Sequence, residues 1–147
     1  MTYEETIVRE VEAFYGSYIE AWNRRDPGEI AYYYDQPHVA LRSEHAPSLV
    51  ITDAEQEQWC LEALAVYREH GWEQIGIDRL QVWPFSTSLA QLTSDISRYG
   101  KDGSLLHRGR YCYMLRRHKD SWKVMAFAVV EEPFSGPGFV RPVAQDR

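Results

Sequence analysis

Glu73 to Glu132 reads EQIGIDRLQVWPFSTSLAQLTSDISRYGKDGSLLHRGRYCYMLRRHKDSWKVMAFAVVEE, and this stretch decides the fold. Four long runs with strand alternation lie in it: Glu73 to Phe85, Ser88 to Tyr99, Leu105 to Arg117 and Ser121 to Glu132. The breaks are turn chemistry: Ser86-Thr87, Gly100-Lys101-Asp102-Gly103 and His118-Lys119-Asp120. Each is too short for a parallel crossover, so the strands form an antiparallel meander. Strands longer than the usual five or six residues twist and curl, and a curled sheet has a concave face.

Working back from the meander, the chain supplies what that face wraps. Thr2 and Glu5 fit a capping box, and the spacing predicts a helix from Tyr3 to Arg24. Ile7, Val11, Phe14, Tyr18 and Trp22 recur at steps of three and four and form its buried stripe. Gly16 inside that helix suggests close packing against a neighbour. Asp26-Pro27 starts a short second helix, with Asp as cap and Pro in the first helical position. His38 to Ser43 and Ser48 to Thr52 read as a brief hairpin turning at Glu44-His45-Ala46-Pro47. Thr52 and Glu55 cap a third helix that runs to His70 and stops at Gly71. The expected architecture is α+β, in the order α-α-β-β-α-β-β-β-β, as one domain over residues 1–132. An irregular tail rich in Gly and Pro follows over residues 133–147.

Composition narrows the function. The chain has 147 residues, enough for a hydrophobic core without metal or disulfide support. A net charge of −6 argues against nucleic acid as a partner. No apolar run approaches a membrane span. The first residues, Met1 to Glu5, lack the basic start and apolar core of a signal peptide, so a cytoplasmic location is expected. Cys60 and Cys112 have no second Cys or His at zinc-ligand spacing and read as small buried hydrophobes. No phosphate loop, nucleophile elbow or metal cluster is present, so neither cofactor nor metal is expected. Aromatic content is high at 14%, with ten Tyr and five Trp. Such residues suit a core, a subunit interface or a pocket for a flat apolar ligand.

The segment Tyr18-Ile19-Glu20-Ala21-Trp22-Asn23-Arg24-Arg25-Asp26 and the closing turn before Ser121-Trp122-Lys123-Val124 resemble the NTF2-like superfamily. The likeness covers roughly Thr2 to Glu132 and points to the branch of SnoaL-like cyclases and steroid Δ-isomerases. It implies a cystatin-like cone, a strongly curved antiparallel sheet wrapped around helices, with homodimers usual. Steroid isomerases carry a Tyr on the first helix as oxyanion donor, and the resemblance places Tyr18 there. Tyr18 reads equally as core. The isomerase base and second acid fall at Arg42 and Met114, and neither residue can do that work.

His38 is the nearest other base, read as opening the first strand; a surface or hydrogen-bonded structural role is the alternative. His45 and His107 are expected to be exposed. Asp95 shares a polar strip with Gln91, Thr93 and Ser97. Asp78, with Leu80 and Val82 as same-face neighbours, is a buried acid candidate; a salt bridge to Arg79, Arg98 or Arg110 is the alternative. The residues Met125 to Val130 of the last strand offer no acid or base. The leading expectation is a SnoaL-like protein that encloses a small, largely apolar or aromatic molecule. Tyr18 and His38 would be its acid–base pair, and Trp22, Tyr33, Asp78 and Tyr113 its ligand contacts. The alternative is a non-enzymatic dimerisation or ligand-sensing module. In either case a homodimer is expected, with Trp83 and Tyr99 at the buried sheet face.

Overall fold

The computed structural model describes residues 1–139. Helix α1 spans Tyr3–Arg24 and opens with the complete Thr2/Glu5 capping box. Helix α2, Pro27–Ala31, is capped by the Asp26 carboxylate on the Gly28 and Glu29 N–H groups. Strands β1 (Tyr34–Leu41) and β2 (Ser48–Val50) precede helix α3, Asp53–His70. The α3 helix starts at the Thr52 cap and ends at Gly71, whose φ of 74° only glycine adopts freely. Strands β3 (Gln74–Pro84), β4 (Leu89–Tyr99), β5 (Leu105–His118) and β6 (Ser121–Val130) complete the sheet. No described helix is long and apolar enough to cross a membrane.

The curved, unclosed sheet runs β2-β1-β6-β5-β4-β3. Its last four strands are the expected meander. The hairpin is not separate from it, because β1 lies parallel to β6. The register of that pair slips between Tyr34 and Val39. Pro37 sits in the gap, and a proline has no N–H to give a ladder. Strand β1 also begins four residues earlier than the sequence suggests, so His38 lies mid-strand rather than at its start.

Helices α1 and α3 pack on the concave face. Val11, Tyr15, Tyr18 and Trp22 from α1 meet Leu92, Ile96, Tyr113, Leu115 and Val124 from the sheet in one continuous core. At the edge strand, Asn23 stitches α1 to β3: its side chain donates to the Ile75 carbonyl at 3.1 Å and accepts from the Ile75 N–H at 2.8 Å. Among the described residues those two backbone groups have no further strand to pair with, so Asn23 stands in for one. Gly16 is not a close contact, since a side chain there would meet nothing within 4 Å.

A bulge between Ile77 and Arg79 breaks the alternation of β3. Leu80 and Val82 therefore pack on the core while Asp78 turns out and is exposed. Its carboxylate accepts a hydrogen bond from Ser97 rather than facing an arginine. The buried-acid expectation for Asp78 fails for that reason. On the same outer face the Arg110 guanidinium grips Asp95 through two bonds, 2.5 and 2.9 Å. The segment from Glu131 to Phe139 has neither helix nor strand and lies across this face. Thr93 donates to the Pro137 carbonyl, and the Phe139 ring sits between Arg79 and Arg110. The remainder of the expected tail, 140–147, lies outside the described residues.

Candidate functional site

The hollow of the cone is not fully filled. A cavity of about 320 Å³ lies between α1, α3 and the inner face of β3 to β6. Tyr18, Trp22, Tyr34, Tyr113 and Phe127 line its aromatic end, and Tyr67, Trp72, Arg98, His107 and Tyr111 line the other. Arg42 lines it from the end of β1.

At the aromatic end the hydroxyls are bonded to one another. Tyr18 and Tyr34 meet oxygen to oxygen at 2.6 Å, and Tyr15 meets Ser94 at 2.5 Å. The rings around Tyr18 are mostly edge-on, with centroids near 6 Å from Tyr34, Tyr113 and Trp22. Burial pushes the Tyr15 hydroxyl up to about 12 and those of Tyr18, Tyr34 and Tyr113 well above their usual range. These groups keep their protons and act as hydrogen-bond donors, not as acids at neutral pH.

At the other end stands Arg98, only 6% exposed. Alternation along β4 turns Leu92, Ser94, Ile96 and Arg98 to the same inner face, and the register sets Arg98 opposite His107 on β5. Its Nη1 donates to the Tyr111 hydroxyl at 2.9 Å and to His107 Nδ1 at 3.0 Å. Its Nη2 donates to the Tyr67 hydroxyl at 2.8 Å. The guanidinium carbon lies 4.6 Å from the Trp72 ring centre and 4.9 Å from that of Tyr67, close enough for cation–π attraction. Trp72 reaches this place because the chain reverses at Gly71, with the Trp72 N–H donating to the Tyr67 carbonyl at 2.9 Å. Burial works against the Arg98 charge, but the Tyr67 and Tyr111 oxygens more than offset it, and its pKa moves up. The same burial, followed by the Arg98 charge, lowers the pKa of His107. With Nδ1 accepting from Arg98, His107 is neutral and carries its proton on Nε2.

Residues 9–132 match the model of a family described as NTF2-like protein (DUF6841). The chain is an NTF2-like protein. Solved structures of the same fold include a domain of unknown function with a cystatin-like fold from Nostoc punctiforme, 15% identical, covering 84% of this chain and 76% of that one, with a TM-score of 0.64. They include yeast UBP3-associated protein BRE5, 13% identical, covering 82% and 92%, with a TM-score of 0.64. A ketosteroid isomerase-like protein from Erwinia carotovora atroseptica is 19% identical, covering 83% and 93%, with a TM-score of 0.55. At these identities the likeness is one of fold. No curated protein matches the chain in sequence.

In this NTF2-like protein three of the expected site residues, Tyr18, Trp22 and Tyr113, line the cavity. Tyr33 does not; it packs on Phe14 and Tyr18 and lines a shallow cleft with Trp122 and Arg117 on the other side of α1. Asp78 lies on the outer face. His38 is completely buried but outside the cavity lining, packed between Tyr34, Trp59 and Phe127 with ring centres 4.6, 5.3 and 5.8 Å away. Tyr34 stands between it and Tyr18. Burial pushes His38 down to about 4. Neither ring nitrogen nor the Gln56 Oε1 has a hydrogen-bond partner among the described residues. His107, expected to be exposed, is half-buried, stacked on Trp72 at 4.7 Å.

Arg98 and His107 are the functional candidates that sequence reasoning passed over. The available signal was an arginine on the mainly apolar face of β4 that carries Ala90, Leu92, Ser94 and Ile96, where a charge is costly. Among the described residues, the lining of the cavity contains no carboxylate and no cysteine, and there is no cluster of three or more potential metal ligands.

Proposed function

We propose that this protein binds a small, largely apolar, flat molecule in the cavity between its helices and its sheet. The observation that carries this is the cavity itself. About 320 Å³ stays open beside Tyr18, Trp22, Tyr113 and Phe127, where bulky side chains could have closed it. That size lies within the range of small-molecule sites, and aromatic walls with a few convergent polar groups are their usual lining. Tyr18 serves as a hydrogen-bond donor to the ligand in this reading, and Trp22 and Tyr113 as its apolar walls. The reading places the protein in the cytoplasm as a homodimer, with Trp83, 49% exposed on the outer face, at the contact.

Binding without turnover fits the site better than a SnoaL-type reaction. General acid–base catalysis needs a group that can accept a proton within reach of the ligand. The imidazole that lines the cavity, His107, spends its acceptor nitrogen on Arg98, and His38 is screened by Tyr34. A ligand-sensing or carrier role follows. Proton transfer between Tyr18 and His38 would need the Tyr34 ring to move aside.

Native mass spectrometry of the purified chain is the direct test, combined with titration of a library of aromatic compounds followed by tryptophan fluorescence. Trp22 and Trp72 both border the cavity, so an occupant should change their emission. A protein that carries nothing from the cell and answers to no compound in the library would end the proposal.

A further inference from the structure

Among the described residues, Arg98 is a buried cation without a counter-charge. The other arginines that lie against acids are paired: Arg24 with Glu29, Arg25 with Glu73, Arg110 with Asp95, Arg116 with Asp35 and Arg117 with Glu10. These are more exposed than Arg98, whose partners are two phenols and an imidazole. Buried charges in proteins are ordinarily paired or bound to an ion. The rings of Tyr67, Trp72 and Tyr111 soften the cost through their negative faces, but they bring no net negative charge.

Resting on the binding reading above, we propose that the ligand is a carboxylic acid whose carboxylate is received at Arg98, with its apolar body against Trp22, Tyr113 and Phe127. The donor count supports this. A guanidinium has five N–H groups, and three hydrogen bonds are made, so two donors remain, the Nε–H among them. Among the described residues that Nε has no acceptor, and it is closed off from solvent, so a carboxylate reaches it only as the side chain shifts on binding. Elsewhere in this chain Arg110 and Arg116 hold carboxylates through Nε and Nη2, with Asp95 and Asp35 as the acceptors. His107 adds a further donor, because its Nε2 keeps the proton while Nδ1 accepts from Arg98.

The balance of charge around the cavity points the same way. Arg98 and Arg42 line it and no described acid does, although the chain as a whole carries −6. A cavity with one buried and one peripheral cation, set in an acidic protein, selects an anion by its own field. The surroundings are otherwise apolar, so the fit is to a monoacid with one charged end rather than to a strongly hydrated phosphate ester.

The test compares two probes of equal shape on the full chain, 2-naphthoate and its neutral amide 2-naphthamide, by calorimetry at neutral pH. Charge-assisted hydrogen bonds to one buried guanidinium predict at least about a tenfold preference for the acid. The Arg98→Gln variant should lose that preference while still binding the amide, and Arg98→Lys should retain part of it. Equal affinity of the wild-type protein for acid and amide overturns the carboxylate assignment but leaves the pocket standing. So does an Arg98→Gln variant, folded by circular dichroism, that still prefers the acid. The wild-type comparison needs no variant, so it decides the matter even if Arg98→Gln does not fold. Failure of both probes to bind, with no other aromatic compound bound either, removes the pocket and the assignment together.

Discussion

Tyr111 lies across Gly109, so closely that a side chain at position 109 would sit 2.8 Å from the tyrosine ring. The missing Cβ is what lets the ring lie flat on the strand and aim its hydroxyl at Arg98, 2.9 Å away. Gly109→Ala should therefore push the ring aside and cost roughly 1 to 3 kcal/mol in stability, the usual range for overpacking. In a Tyr111→Ala background the same change should cost nothing, or help slightly because alanine suits a strand better than glycine. Urea unfolding of the four proteins measures the coupling. A full cost that persists without the Tyr111 ring would show that the close approach is not its source.

Tyr18 and Tyr34 share one buried hydrogen bond of 2.6 Å. Tyr18→Phe leaves the Tyr34 hydroxyl buried without that partner, at a cost of about 1 to 2 kcal/mol. Removing both hydroxyls, in Tyr18→Phe with Tyr34→Phe, should cost less than the two single losses added together. Strict additivity in a double-mutant cycle would contradict the pairing.

His38 makes the fold sensitive to acid. In the unfolded chain it titrates near its ordinary 6.5, and in the fold burial pushes it down to about 4. Between those values the unfolded chain takes up a proton that the folded chain refuses. Its contribution is therefore fully present above about pH 6.5, falls as the pH drops toward 4, and levels off below. The loss between pH 7 and pH 5 is on the order of 2 kcal/mol. His38→Phe should remove most of that slope, while carboxylates that titrate lower are untouched. A variant whose stability falls as steeply as wild type over this interval would show that another group is responsible.

Gly16 gives the opposite kind of prediction. It lies inside α1 with open space where a side chain would go. Gly16→Ala should raise stability by about 0.5 to 1 kcal/mol, by the difference in helix propensity, without affecting the cavity. Thermal unfolding checks it; a lower midpoint would mean that a neighbour occupies that space in solution.

Helix ends and strand runs were legible in the chain because their signals are local. Thr2, Asp26 and Thr52 each satisfy N–H groups two or three residues away, and Gly71 supplies a backbone angle at one position. The alternation from Gln74 to Val130 and the short turns between the runs leave little but an antiparallel meander. The stripe from Ile7 to Trp22 needs only the period of a helix. The family likeness of the first helix and the last hairpin rests on the same nearby residues.

What those local patterns leave open is which side chains meet once the layers close. One bulge after Ile77 turned Asp78 from the core to the outer surface, and nothing in the period of β3 announces it. The parallel pairing of β1 with β6 joins residues more than eighty positions apart and carried His38 behind Tyr34. Tyr67, Trp72, His107 and Tyr111 come to Arg98 from a helix, a turn and a neighbouring strand. Desolvation and hydrogen bonding act through space, so the amino acids name the available charges, while packing settles which of them stays buried without a counter-ion.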